Sequence, residues 1–65
     1  MNRLEDFSNE KIADIILFET EESIREILNK EFPNSKVHHV HVFSNGDAEI
    51  KIDDRHIKVF NKEIN

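Results

Sequence analysis

Residues 37–52 read Val-His-His-Val-His-Val-Phe-Ser-Asn-Gly-Asp-Ala-Glu-Ile-Lys-Ile, and the way this stretch folds on itself decides the rest of the chain. Val, Ile and Phe alternate with polar residues on both sides of Ser44-Asn45-Gly46, the strongest turn signal present, and Gly46 is the single glycine. That combination predicts a β-hairpin. Two registers compete. A two-residue Asn45-Gly46 turn would set Phe43 opposite Ala48 and His41 opposite Ile50, putting Val40 and Val42 on the face of Glu49 and Lys51. A three-residue loop with Gly46 in left-handed backbone instead sets Phe43 opposite Asp47 and Val40 opposite Ile50. Val40, Val42, Ala48, Ile50 and Ile52 then share one face. A slip of one residue turns every side chain over, so burial selects the second register.

Working outward, residues 56–60 (His-Ile-Lys-Val-Phe) carry the same alternation. Strands are expected over 37–43, 48–53 and 56–60. A turn at Asp54-Arg55 would set Ile57 opposite Ile52 and Val59 opposite Ile50, keeping one apolar face for the whole meander.

Upstream, residues 8–32 read as helix. Ser8 is placed as an N-cap, Phe7 and Ile12 as a hydrophobic staple, and Pro33 ends the segment by pushing Phe32 out of helical backbone. At about 100° per residue, Ile12, Ala13, Ile16, Leu17, Thr20, Ile24, Ile27 and Leu28 fall in one broad arc, which favours one continuous helix. The alternative is a break at Glu19-Thr20-Glu21-Glu22, with Thr20 capping a second helix whose first turn carries two acids. Ile15 and Phe18 lie off the arc and offer a second apolar patch.

The fold class expected is therefore α+β, with an N-terminal helical segment, one long helix or two short, packed on a three-stranded antiparallel meander. Sixty-five residues make one small domain, near the lower limit for a chain that folds alone. Leu, Ile, Val and Phe fill 21 positions, well above the one-fifth level below which disorder is expected. The tails 1–6 and 61–65 are expected to fray.

Charge divides the chain. Residues 1–35 hold nine acids and four bases, residues 36–65 five of each, and all four histidines (His38, His39, His41, His56) lie in the second part. No apolar run is long enough to span a membrane. The chain begins without the apolar segment of a secretory signal and contains no Cys, which together predict a cytoplasmic setting.

If the valines and isoleucines face the helix, the opposite face of the sheet carries His39, His41, Phe43, Glu49, Lys51, His56, Lys58 and Phe60. Two phenylalanines and three histidines exceed what solvation of a sheet face requires, and aromatics grouped with charges predict a contact surface. The plainer explanation is that aromatics suit strands and cover a sheet without binding anything; the tail with Ile64 could also fold over the face.

The binding set read from the sequence is His39, His41, Phe43, Glu49, Lys51, Lys58 and Phe60. The function it predicts is a non-enzymatic protein-interaction module of adaptor or inhibitor type. It would bind a larger protein, or a second copy of itself, through this face or through the acidic helix.

Two alternatives use the same residues. Phe43 and Phe60 could stack bases while Lys51 and Lys58 meet phosphates, although the net charge of −5 opposes nucleic acid. His39 and His41, two apart on one strand, could ligate zinc, but only two such ligands are securely placed and no metal or other cofactor is expected. Catalysis is not expected either. One glycine cannot build a phosphate-binding loop, and no nucleophile sits in an activating context.

Overall fold

The structure is a computed structural model describing residues 3–61. A 3-10 turn, Leu4–Asp6, leads into two helices, α1 (Asn9–Ile16) and α2 (Glu21–Glu31), and then three strands, β1 (Val37–Val42), β2 (Ala48–Ile52) and β3 (Arg55–Val59). The sheet is antiparallel in the order β1-β2-β3. The architecture is the α+β arrangement expected, two helices followed by a meander.

The helical segment is broken rather than continuous. Both helices have a hydroxyl cap: the Ser8 side chain accepts from the Lys11 N–H and the Thr20 side chain from the Ser23 N–H, each at 3.1 Å. Thr20 thus faces no core; it begins α2. Between the helices Leu17 is extended and Phe18 takes a left-handed φ of 68°, and the Glu19 N–H donates to the Ile16 carbonyl at 3.2 Å. The elbow turns Leu17 onto the core and Phe18 away from it. A non-glycine residue pays about 1–2 kcal/mol for left-handed backbone.

The core is made by Ile12 and Ile16 of α1, Ile24 and Leu28 of α2, Phe32, and the inward side chains Val40, Ala48, Ile50, Ile52, Ile57 and Val59. Phe32 leaves helical backbone at φ −127° before Pro33, as expected, and its ring is buried. Phe7 meets it edge-on with ring centroids 5.0 Å apart. Ile15, read as part of an outer patch, is half-buried against the core, so Phe18 stands alone.

The first hairpin has the register expected from burial. Val40 pairs with Ile50 and Val42 with Ala48. The Phe43 N–H donates to the Asp47 carbonyl at 2.8 Å, the Gly46 N–H to the Phe43 carbonyl at 3.0 Å, and Gly46 has φ 94°. The Asp47 carboxylate accepts from the Asn61 N–H at 2.8 Å and from the Asn45 side-chain amide at 3.1 Å, locking the loop.

The second hairpin departs from the expectation. The turn is Asp53-Asp54, Ile52 pairs with Arg55, and Ile57 lies opposite Ile50 with Val59 opposite Ala48. The pairing is shifted by two residues. Asp53 supplies the left-handed residue, φ 51°, which aspartate tolerates better than most. A slip of two preserves the facing of every side chain, so the single apolar face survives. A further irregularity sits in β1, where Val37 pairs with Ile52 but His39 with Lys51. His38 is the extra residue of a β-bulge. The bulge explains how Val37 and Val40, three apart and so of opposite parity, both pack on the core.

Two polar ties hold the helices and the first turn to the sheet. The Arg55 guanidinium donates to the Phe7 carbonyl (2.6 Å), the Leu4 carbonyl (3.1 Å) and the Asn9 side-chain oxygen (3.2 Å). Leu4–Asp6, expected within a frayed tail, is therefore a turn anchored to β3, and Leu4 packs on the core. At the other end the Glu21 carboxylate accepts from the Val42 N–H at 3.0 Å. Asn61 is likewise tied by its bond to Asp47; the rest of the C-terminal segment, Ile64 included, lies outside the described residues. No helix among the described residues is long and apolar enough to cross a membrane.

Candidate protein-binding face

Because helices cover one side of the meander, the alternate residues of each strand point to the other. Register places them in rows. His39, Lys51 and His56 lie side by side across the three strands, followed by His41, Glu49 and Lys58. Phe43 and Phe60 continue past the ends of β1 and β3, on either side of Asp47, whose carbonyl takes the Phe43 N–H and whose carboxylate takes the Asn61 N–H. All seven residues of the expected binding set lie on this face.

Its chemistry runs from polar to aromatic along the strands. The His39 and His41 rings are near-parallel with centroids 6.4 Å apart, and His41 meets Phe43 edge-on at 4.4 Å. Three rings thus form a ladder along β1. His56 Nε2 lies 2.9 Å from Glu49 Oε2, crossing diagonally between strands, and His41 Nδ1 lies 3.5 Å from Glu21 Oε2. Glu49 is thereby drawn toward His56, leaving Lys51 and Lys58 as exposed cations. At the aromatic end Phe43 is 44% exposed and Phe60 59%. The two rings border one shallow hollow of about 170 Å³ together with Glu49 and Lys58.

Among the described residues no group of three or more His, Asp or Glu side chains is placed to hold a metal ion. The His39–His41 pair is a stack of two rings, with Lys51 opposite His39 on the neighbouring strand.

Two features were not found from the sequence. Arg55, assigned to a turn, is the first residue of β3 and shares the helix-facing side with Ile57 and Val59. A lone arginine beside two aspartates carries no sign of the carbonyls it will meet. Phe18 was noticed only as lying off the helical arc; its left-handed backbone was not legible, because the usual sign of that conformation is Gly or Asn. Comparison with models of known protein families, with curated proteins and with solved structures returns no match.

Proposed function

We propose that this chain is a small non-enzymatic protein-binding module that docks on a larger protein through the outer face of its sheet. The observation that supports this reading is the pairing of Phe43 and Phe60, both exposed, at one end of a face otherwise composed of charged and imidazole side chains. Aromatic side chains entering a partner's pocket supply much of the energy at interfaces. His41, set edge-on against Phe43, holds that ring in place before binding. Lys51, Lys58, Glu49 and His39 form the rim, where charge governs encounter rate and orientation more than affinity.

The size of the face indicates the kind of partner. Three strands about 4.8 Å apart and five or six residues long at about 3.4 Å each present roughly 300 Å². A standard stable interface buries about 800 Å² on each partner. The strand backbone alone spans only part of such a footprint, so a partner would also contact surface beyond the sheet edges. The face suits a larger protein with a pocket for the two rings.

The test is the double variant Phe43→Ala, Phe60→Ala. It keeps the circular dichroism spectrum and loses the protein that wild-type chain recovers from a cell lysate, identified by mass spectrometry. Equal recovery by the variant removes the sheet face as the site. A salt-sensitive gel shift with single-stranded oligonucleotides would transfer the face to nucleic acid.

A further inference from the structure

Phe18 is the most exposed large apolar residue among those described, at 74%, and it has a left-handed φ of 68°. Both properties act against the stability of the fold. Glycine or asparagine would satisfy the elbow without strain and without placing a benzyl ring in water. The neighbouring charges act in the same direction. Asp14 lies in the last turn of α1, which contains no basic residue, so its carboxylate opposes the helix dipole. Glu19, Glu21 and Glu22 follow, and no Lys or Arg occurs between Ile12 and Ile24. Glu21 and Glu22 favour the start of α2 and have a structural role; Asp14 and Glu19 do not share that location. An exposed aromatic ring on left-handed backbone, flanked in sequence by carboxylates, gains nothing for the isolated chain.

We infer that the α1–α2 elbow is a second contact element, in which Phe18 enters an apolar pocket bordered by Lys or Arg on the partner protein. This rests on the protein-binding reading above and gives the chemistry of that partner. Charge decides among the occupants. The carboxylates repel the phosphates of nucleic acid and of anionic lipid, and they repel the same elbow on a second copy. A cationic protein surface is the complement. Position agrees: Glu21 bonds the Val42 N–H, so the start of α2 lies beside the end of β1, next to Phe43.

The experiment is NMR of the full chain in about 150 mM salt, with a 14-residue amphipathic Leu/Lys peptide as probe and the matching Leu/Glu peptide as control. The Leu/Lys peptide is expected to move the Phe18 ring signals and the Glu19 and Glu22 amides. Phe18→Gly is expected to weaken that binding at least tenfold while raising Tm by about 4–8 °C, the shift that relief of modest strain gives in a domain of this size. A fall in Tm makes Phe18 a structural residue and overturns the inference. Equal shifts with the Leu/Glu peptide, or shifts confined to other residues, overturn it too. So does a concentration-dependent rise in mass by light scattering that Phe18→Gly abolishes, since the occupant is then a second copy. Lysate capture separates the two sites. Capture kept by Phe18→Gly and lost by the Phe43/Phe60 variant leaves the sheet face standing and removes the elbow.

Discussion

At the β2–β3 turn the fold closes itself with polar groups, whereas at the β1–β2 end three phenylalanine rings stand in solvent. At the first end Arg55 satisfies two carbonyls and the Asn9 side chain, and the Asp53 carboxylate accepts from the Lys36 N–H at 2.8 Å, while the Asp53 N–H donates to the Lys36 carbonyl. At the second end the backbone is equally well bonded through Asn45, Asp47 and Asn61, but Phe18, Phe43 and Phe60 are left uncovered. The two ends are both well hydrogen-bonded and differ in what they do with apolar surface. A chain this small has only about 3–10 kcal/mol of total stability. Exposed aromatics on well-bonded backbone are therefore a poor use of scarce apolar groups unless something else covers them.

Substitutions at each end can break or sharpen this contrast. The largest effect is expected from Arg55→Ala. It takes the guanidinium away from the Phe7 carbonyl, the Asn9 side chain and the Leu4 carbonyl, which keeps only the Phe7 N–H, and frees the first turn, at a cost of about 2–3 kcal/mol. Thermal unfolding should show Tm lower by roughly 10–20 °C, and Arg55→Lys should recover only part of it, since one ammonium does not reproduce the planar fork.

Gly46→Ala comes next. Its φ of 94° is strained for alanine, and the added methyl collides with the Asn61 side-chain amide, which bonds the Asn45 carbonyl. A loss of about 2 kcal/mol in denaturant titration is expected from strain and the lost bond together. No loss would mean that the second end is not held by these bonds, and the contrast fails.

A smaller effect depends on pH. The Lys36 N–H, then the Ser35 hydroxyl and the nearby His38, hold the Asp53 carboxyl below its ordinary value against a small opposing effect of burial. A lowered folded-state value means that the contribution is fully present above the unfolded value, about pH 4, and is lost as pH falls through the folded one. Stability should fall as pH drops below about 4, and Asp53→Asn should flatten that part of the profile. An unchanged slope in the variant would remove Asp53 from the closed end. Smallest of all, Phe43→Ala and Phe60→Ala should each change stability by no more than about 0.5 kcal/mol. A larger loss by either would show that its ring belongs to the fold and not to a partner.

Much of this architecture was legible because burial and periodicity agree. Ser8 as a cap, the first hairpin's register and the facing of the strand residues all follow from where Val and Ile must go. The second hairpin was misread by two residues, since Asp53-Asp54 and Asp54-Arg55 are both turn-like and burial cannot separate registers that leave every side chain on the same face. The helix break was misread for a related reason. Thr20 fits the apolar arc by angle, yet its hydroxyl does more by capping α2. The shared facing of His39, His41, Phe43, Glu49, Lys51, Lys58 and Phe60 was legible, since facing depends only on parity. Arg55 and the backbone of Phe18 were not, because each depends on chain segments distant in sequence or on a conformation that its residue type disguises.

The bond from the Val42 amide to Glu21 has one more consequence. Phe43 gives its N–H to Asp47 inside the sheet, so the Val42 N–H points outward from the rim of the meander. An open rim of amides invites other chains to add as new strands and to grow into aggregates. With a carboxylate already seated on that amide, and a bulge at His38 bending the same strand, β1 is a poor template for such growth. The protein therefore displays the bare Phe43 ring while the Val42 amide next to it is already occupied.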